Sequence, residues 1–125
     1  MKELNYSLIF GSFFGLTAVM LGAFGAHYLH TLFSTKQMSI YQTATTYQMY
    51  HAIILAAIGL VWSEKKNKIL NYSIISFIIG ILLFCGTLYL YLATNIVAFA
   101  ILTPIGGLGL ILGWALLLYY AIKAQ

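Results

Sequence analysis

Charge is absent from three long stretches of this chain, residues 4–35, 37–63 and 69–122, and this limits what it can fold into more than any other feature. A helical crossing of a bilayer core about 30 Å thick takes roughly 20 apolar residues. The first two stretches each accommodate one crossing and the third accommodates two, which predicts four spans and leaves little chain outside the membrane. Of the 125 residues, 62% are hydrophobic and only 6% charged, against about a quarter charged in an ordinary soluble domain. These proportions argue against a water-soluble fold and against a catalytic domain within this length.

The divider inside the third stretch is the polar pair Thr94-Asn95, followed by Thr103-Pro104. Threonine can cap a helix whose first-turn proline has no N–H to satisfy. The helices are therefore expected near 6–29, 39–62, 69–92 and 104–121, giving an all-α, polytopic four-helix bundle that forms one transmembrane domain over 1–125. Residues 96–102 are too apolar for an aqueous loop. Two readings stay open for them, an interfacial segment or the opening of a fourth helix kinked at Pro104. The N-terminal Met1-Lys2-Glu3 and the apolar run behind it imitate a secretion signal. The run to Thr35 far exceeds a signal core of about 7 to 15 residues, so it is read as a retained first span.

Topology follows from lysine, which supplies every positive charge at Lys2, Lys36, Lys65, Lys66, Lys68 and Lys123 against Glu3 and Glu64. Placing the loop Ser63–Lys68 in the cytoplasm puts Lys2 and Lys123 there too and leaves only Lys36 outside. Tyr6, Trp62, Tyr72, Trp114, Tyr119 and Tyr120 then fall near the cytoplasmic interface as aromatic anchors, and both termini are expected in the cytoplasm. The net charge of +4 serves orientation and contact with anionic lipid, and no basic groove suggests nucleic acid. Cys85 is the only cysteine, so no disulfide can form within the chain.

Small residues recur at close-packing spacing: Gly11 with Gly15, Gly22 with Ala26, Ala52 with Ala56, and Gly109 with Gly113. They are read as helix-packing faces. No register aligns the two halves of the chain convincingly, so an inverted repeat is not claimed. His27, Tyr47, Gln48, His51, Thr87 and Thr103 form the candidate polar cluster. His51 carries Tyr47 and Gln48 one turn before it on one face, at near mid-membrane depth, and an ionisable group at that depth turns towards the bundle interior. A neutral histidine hydrogen-bonded to a neighbouring helix would tie the bundle together without chemistry. A proton-linked or ligand-binding role is the alternative.

Other chemistries find less in the sequence. His27, His30 and His51 could together offer three imidazoles, but no carboxylate or cysteine stands beside them to orient a metal ligand, so neither metal nor cofactor is expected. Both acids lie at cytoplasmic ends and no catalytic dyad or triad can be assembled, so no enzyme is expected. The polar run Tyr41–Gln48 suggests an outward vestibule, yet below His51 the second helix reads Ala52-Ile53-Ile54-Leu55-Ala56-Ala57-Ile58 and offers nothing to coordinate an ion.

Several stretches together resemble the small bacterial membrane-protein family known as domain of unknown function 423, which has relatives among eukaryotic small transmembrane proteins. They are Gly22-Ala23-Phe24-Gly25-Ala26-His27, Tyr47-Gln48-Met49-Tyr50-His51-Ala52, Phe84-Cys85-Gly86-Thr87-Leu88-Tyr89, Thr103-Pro104-Ile105-Gly106-Gly107 and Gly113-Trp114. The third departs modestly, since serine is commoner in the family where this chain has Cys85 and Thr87. The resemblance implies a multi-pass inner-membrane protein of unassigned activity. The small-residue faces, in turn, point to a small protein of the cell (inner or plasma) membrane acting through helix contacts, as a homo-oligomer or an accessory of a membrane complex. The other reading is a minimal transporter or small-ligand-binding protein whose vestibule ends at His51.

Overall fold

The computed structural model describes residues 3–62 and 67–123 and contains four long helices: α1 (Tyr6–His27), α2 (Thr35–Trp62), α3 (Lys68–Thr94) and α4 (Val97–Lys123). All four are long and apolar enough to cross a membrane, and the described residues include no strand. The masses of apolar sequence thus become helix because lipid offers no partner for a backbone N–H or carbonyl, and a helix satisfies both within itself. Lys2 and most of the Ser63–Lys68 loop, on which the topology reading leans, lie outside the described residues.

Helix ends follow local chemistry. Asn5 caps α1 by accepting from the N–H of Leu8, and Asn67 caps α3 by accepting from the N–H of Ile69. At Ser34-Thr35-Lys36-Gln37 the Ser34 hydroxyl accepts from the Gln37 N–H while the Gln37 side chain accepts from the Ser34 N–H. This reciprocal box starts α2 at Thr35, earlier than the expected 39. Helix α1 stops at His27 and gives way to a 3-10 turn over Leu29–Thr31, where the sequence suggested one helix through 29.

The α3–α4 corner differs most from expectation. Helix α3 runs to Thr94, and Asn95 takes the left-handed conformation at φ 57°, returning its N–H to the Tyr91 carbonyl. Asparagine tolerates that conformation better than other side-chain-bearing residues. The turn is tight enough that α4 starts at Val97, so residues 97–102 are helical and Pro104 lies inside the helix. Thr103 is no cap, and its hydroxyl lies 3.2 Å from the Phe99 carbonyl one turn back. Asn95→Gly is expected to leave stability within a few tenths of a kcal/mol, whereas Asn95→Val should cost about 1–2 kcal/mol. Helix loss in a detergent titration reads both.

Helix α1 packs on α2, α2 on α3, and α3 on α4. Both hairpins close by the same device, a glycine face with a serine hydroxyl bonded across it. In α1–α2, Gly11 lies so close to α2 that a Cβ would stand 2.5 Å from the Ala56 nitrogen, and Ser7 donates to the Leu55 carbonyl at 2.6 Å. In α3–α4, Ser73 donates to the Gly113 carbonyl at 2.7 Å and Ser76 to the Gly109 carbonyl at 2.6 Å. These hydroxyls would otherwise be unsatisfied in an apolar core built around Leu55, Leu70, Phe77, Ile81 and Cys85. Ala52, Ala56, Gly109 and Gly113 all sit in these contacts, and Gly15 touches Ala52 at ordinary distance. Gly22 meets no neighbour and Ala26 is exposed, while the next glycine on, Gly25, receives the Tyr41 ring.

Candidate functional site

The helical period sorts the polar run of α2 onto two faces. Tyr41, Ala44, Gln48 and His51 turn inward, and Gln42, Thr43, Thr46, Tyr47 and Tyr50 turn outward. The run is therefore divided between the bundle and its surroundings and does not line an interior vestibule as a unit.

Gln48, buried at 4% exposure, joins three helices. Its Nε2 donates to the Phe14 carbonyl at 2.9 Å and to the Thr17 hydroxyl at 2.7 Å on α1. Its Oε1 accepts from the Tyr89 hydroxyl of α3 at 2.7 Å. Tyr41 adds a second link to α1 by donating to the Leu21 carbonyl, and its ring meets Tyr89 edge-on.

His51 joins α2 to α4. Trp114 donates its Nε1–H to His51 Nε2 at 3.0 Å, and His51 Nδ1 lies 2.7 Å from the Tyr47 carbonyl. An indole nitrogen only donates and a carbonyl only accepts, so Nε2 is the bare nitrogen and Nδ1 carries the proton. His51 is thereby the neutral Nδ1–H tautomer with both nitrogens engaged. An imidazolium would set two N–H groups against each other at the Trp114 contact. Phe77 packs against both rings, at 5.6 Å from His51 and 5.3 Å from Trp114 between centroids.

A third link joins α3 to α4 where the Thr87 and Thr103 hydroxyls meet at 2.7 Å; Thr87 donates its one proton to the Leu83 carbonyl and so accepts from Thr103. Tyr47 contributes its carbonyl to His51, while its side chain stacks on Phe84 and stays substantially exposed. His27 is exposed at the end of α1 and joins none of these contacts. Among the described residues no group of three or more His, Cys, Asp or Glu is placed to hold a metal ion.

The polar residues thus form three separate clasps at different helix pairs, with Tyr41, Thr17, Tyr89 and Trp114 as partners that sequence reasoning did not assign. Trp114 is the clearest correction, because its position suggested an interface anchor. It precedes the end of α4 at Lys123 by more than two turns, which by helical rise sets it roughly 13 Å inside that end. That depth was the available signal.

A family model described as protein of unknown function (DUF423) matches residues 21–107. A UPF0382 membrane protein of Staphylococcus epidermidis is 40% identical over 116 residues, covering 93% of this chain and 94% of the relative. The UPF0382 inner membrane protein YgdD of Escherichia coli is 32% identical over 121 residues, covering 97% and 92% respectively. No solved structure matches the chain. Together with the four apolar helices, these likenesses mark a multi-pass membrane protein.

Proposed function

The chain belongs to the DUF423 family of membrane proteins, and for this member we propose a non-enzymatic role exercised through helix contacts within the bilayer, as a homo-oligomer or an accessory of a larger membrane complex. The observation that carries this reading is how the central polar groups are used. Both nitrogens of His51 and both ends of the Gln48 amide are engaged by the bundle itself. Among the described residues no buried side-chain nitrogen or oxygen lacks a hydrogen bond. Such groups stabilise one helix arrangement, and what the protein offers to others is the outer faces of its helices.

In this reading the lipid bilayer and another membrane polypeptide are the partners, nucleic acid is not, and both termini face the cytoplasm. A membrane-impermeant maleimide applied to intact cells is expected to label Lys36→Cys and to spare Lys123→Cys; the reverse pattern would invert the orientation. Native mass spectrometry of untagged protein, extracted gently from its own membrane, tests the role itself. A homo-oligomer or a stoichiometric complex is expected. An unpartnered monomer in native-like lipid at cellular density would overturn it.

A second reading, a minimal transporter or small-ligand-binding protein, draws on a cleft between α2 and α4 bordered by Tyr47, Tyr50, His51, Phe84, Leu110 and Trp114. It requires liposome flux or ligand binding that is lost in His51→Ala with folding intact.

A further inference from the structure

The outward face of α2 is polar at a depth where its neighbour is largely apolar. Bonds between the helices fix the level: Ser7 meets Leu55, Phe14 and Thr17 meet Gln48, and Leu21 meets Tyr41. The stretch Thr43 to Tyr50 of α2 is therefore level with α1 from about Ser12 to Val19. The exposed face of α1 over that stretch is Phe13, Leu16 and Val19 with the single small polar residue Ser12, which is suited to acyl chains. The exposed face of α2 at the same level carries Thr43, Thr46, Tyr47 and Tyr50, with Tyr50 59% exposed.

Hydrocarbon offers these groups nothing. Tyrosine belongs at the membrane interface, where its hydroxyl reaches water or headgroups. Thr43 satisfies its hydroxyl on the Ser39 carbonyl of its own helix. Among the described residues the Gln42 amide and the Tyr47 and Tyr50 hydroxyls take no side-chain hydrogen bond. A polar group left unpaired in lipid is costly, so a polypeptide surface is a better neighbour for this face than lipid.

We propose that this neighbour is a second copy of the chain, packed α2 against α2 in a parallel two-fold dimer. This deepens the helix-contact reading above and rests on it. The seam runs through Ser39, Thr43, Thr46 and Tyr50 and continues through Ile53 and Ala57, all exposed. Their alternating spacing of four and three is that of helices crossing at about +20°. A two-fold axis makes each seam residue meet its own copy. That demands groups able to donate and accept at once, which the hydroxyls of Ser39, Thr43, Thr46 and Tyr50 do and a lysine or a carboxylate does not. The seam lies within the uncharged run 37–63, so no like charges oppose each other along it. Copies of one chain insert in one orientation, which makes the closed self-contact of this face parallel.

Thr46→Cys and, separately, Leu16→Cys at the same depth on α1 are compared in native membranes under mild copper-phenanthroline oxidation; the native Cys85 is buried. Thr46→Cys is expected to give at least about tenfold more disulfide dimer than Leu16→Cys. The combined Thr43→Leu, Thr46→Leu and Tyr50→Leu variant changes only exposed positions and should keep its helix content. Loss of hydrogen bonds of the size seen between membrane helices should weaken its dimer in liposome energy transfer by about tenfold. Dimers that cross-link through Leu16→Cys in place of Thr46→Cys would overturn this interface and leave the helix-contact reading standing. So would a photo-crosslinker at position 46 that captures only a different polypeptide. A chain that stays monomeric and unpartnered in its own membrane would overturn both.

Discussion

Gly106→Val is expected to unlatch α4 from α3 at a cost of about 3 kcal/mol, the upper part of the range for overpacking. A Cβ at Gly106 would run into the backbone of α3 at Leu83 and Phe84. Backbone cannot rotate aside as a side-chain tip can, so the helices must separate. Separation would also pull apart the Thr87–Thr103 pair and the two serine bonds to Gly109 and Gly113, so the loss spreads along the interface. Reversible unfolding in bicelles or a detergent titration reads the loss. Gly22→Val is the control: nothing lies within 4 Å of its Cβ position, and little change is expected there.

Gln48→Leu is expected to cost about 2 kcal/mol, because one amide bridges three helices. The apolar replacement strands the Tyr89 hydroxyl inside the bundle and leaves the Phe14 carbonyl and Thr17 without their cross-helix donor. Tyr89→Phe, which removes one of these bonds, should cost less than half as much. Gln42→Leu, on the exposed side of the same helix, should leave the unfolding of the monomer unchanged. Equal effects at positions 42 and 48 would contradict the division of the two faces.

The spans were legible because charge divides the chain at Lys36, at the lysine cluster ending at Lys68 and at Lys123, and the polar pair Thr94-Asn95 divides the last uncharged stretch, bracketing helices that lipid forces to satisfy their own backbones. The start of α2 was equally available in Ser34 and Gln37, whose spacing is that of a capping box. Pro104 set the expected start of α4 at 104, since proline is commonest in a first helical turn, but of the two readings open for residues 96–102 the helical one holds, and the signal that opens α4 is Asn95 in a left-handed turn. His51 and Gln48 stood out as buried polar groups on an apolar helix. Their partners did not, because whether Trp114 rather than a threonine faces His51 is decided by how α4 leans on α3, and nothing local to either residue encodes that. The division of the Tyr41–Gln48 run was encoded by the helical period, and reading it as one polar segment hid the outward face.

His51 is a clasp between α2 and α4, and a double-mutant cycle between His51→Leu and Trp114→Phe tests this most directly. Unfolding free energies of the two single variants and the double variant, measured in the same bicelles, are expected to show a coupling of about 1 kcal/mol, the scale of a hydrogen bond between membrane helices. Additive single effects, with no coupling between positions 51 and 114, would show that the contact does not hold the helices together and would contradict the claim.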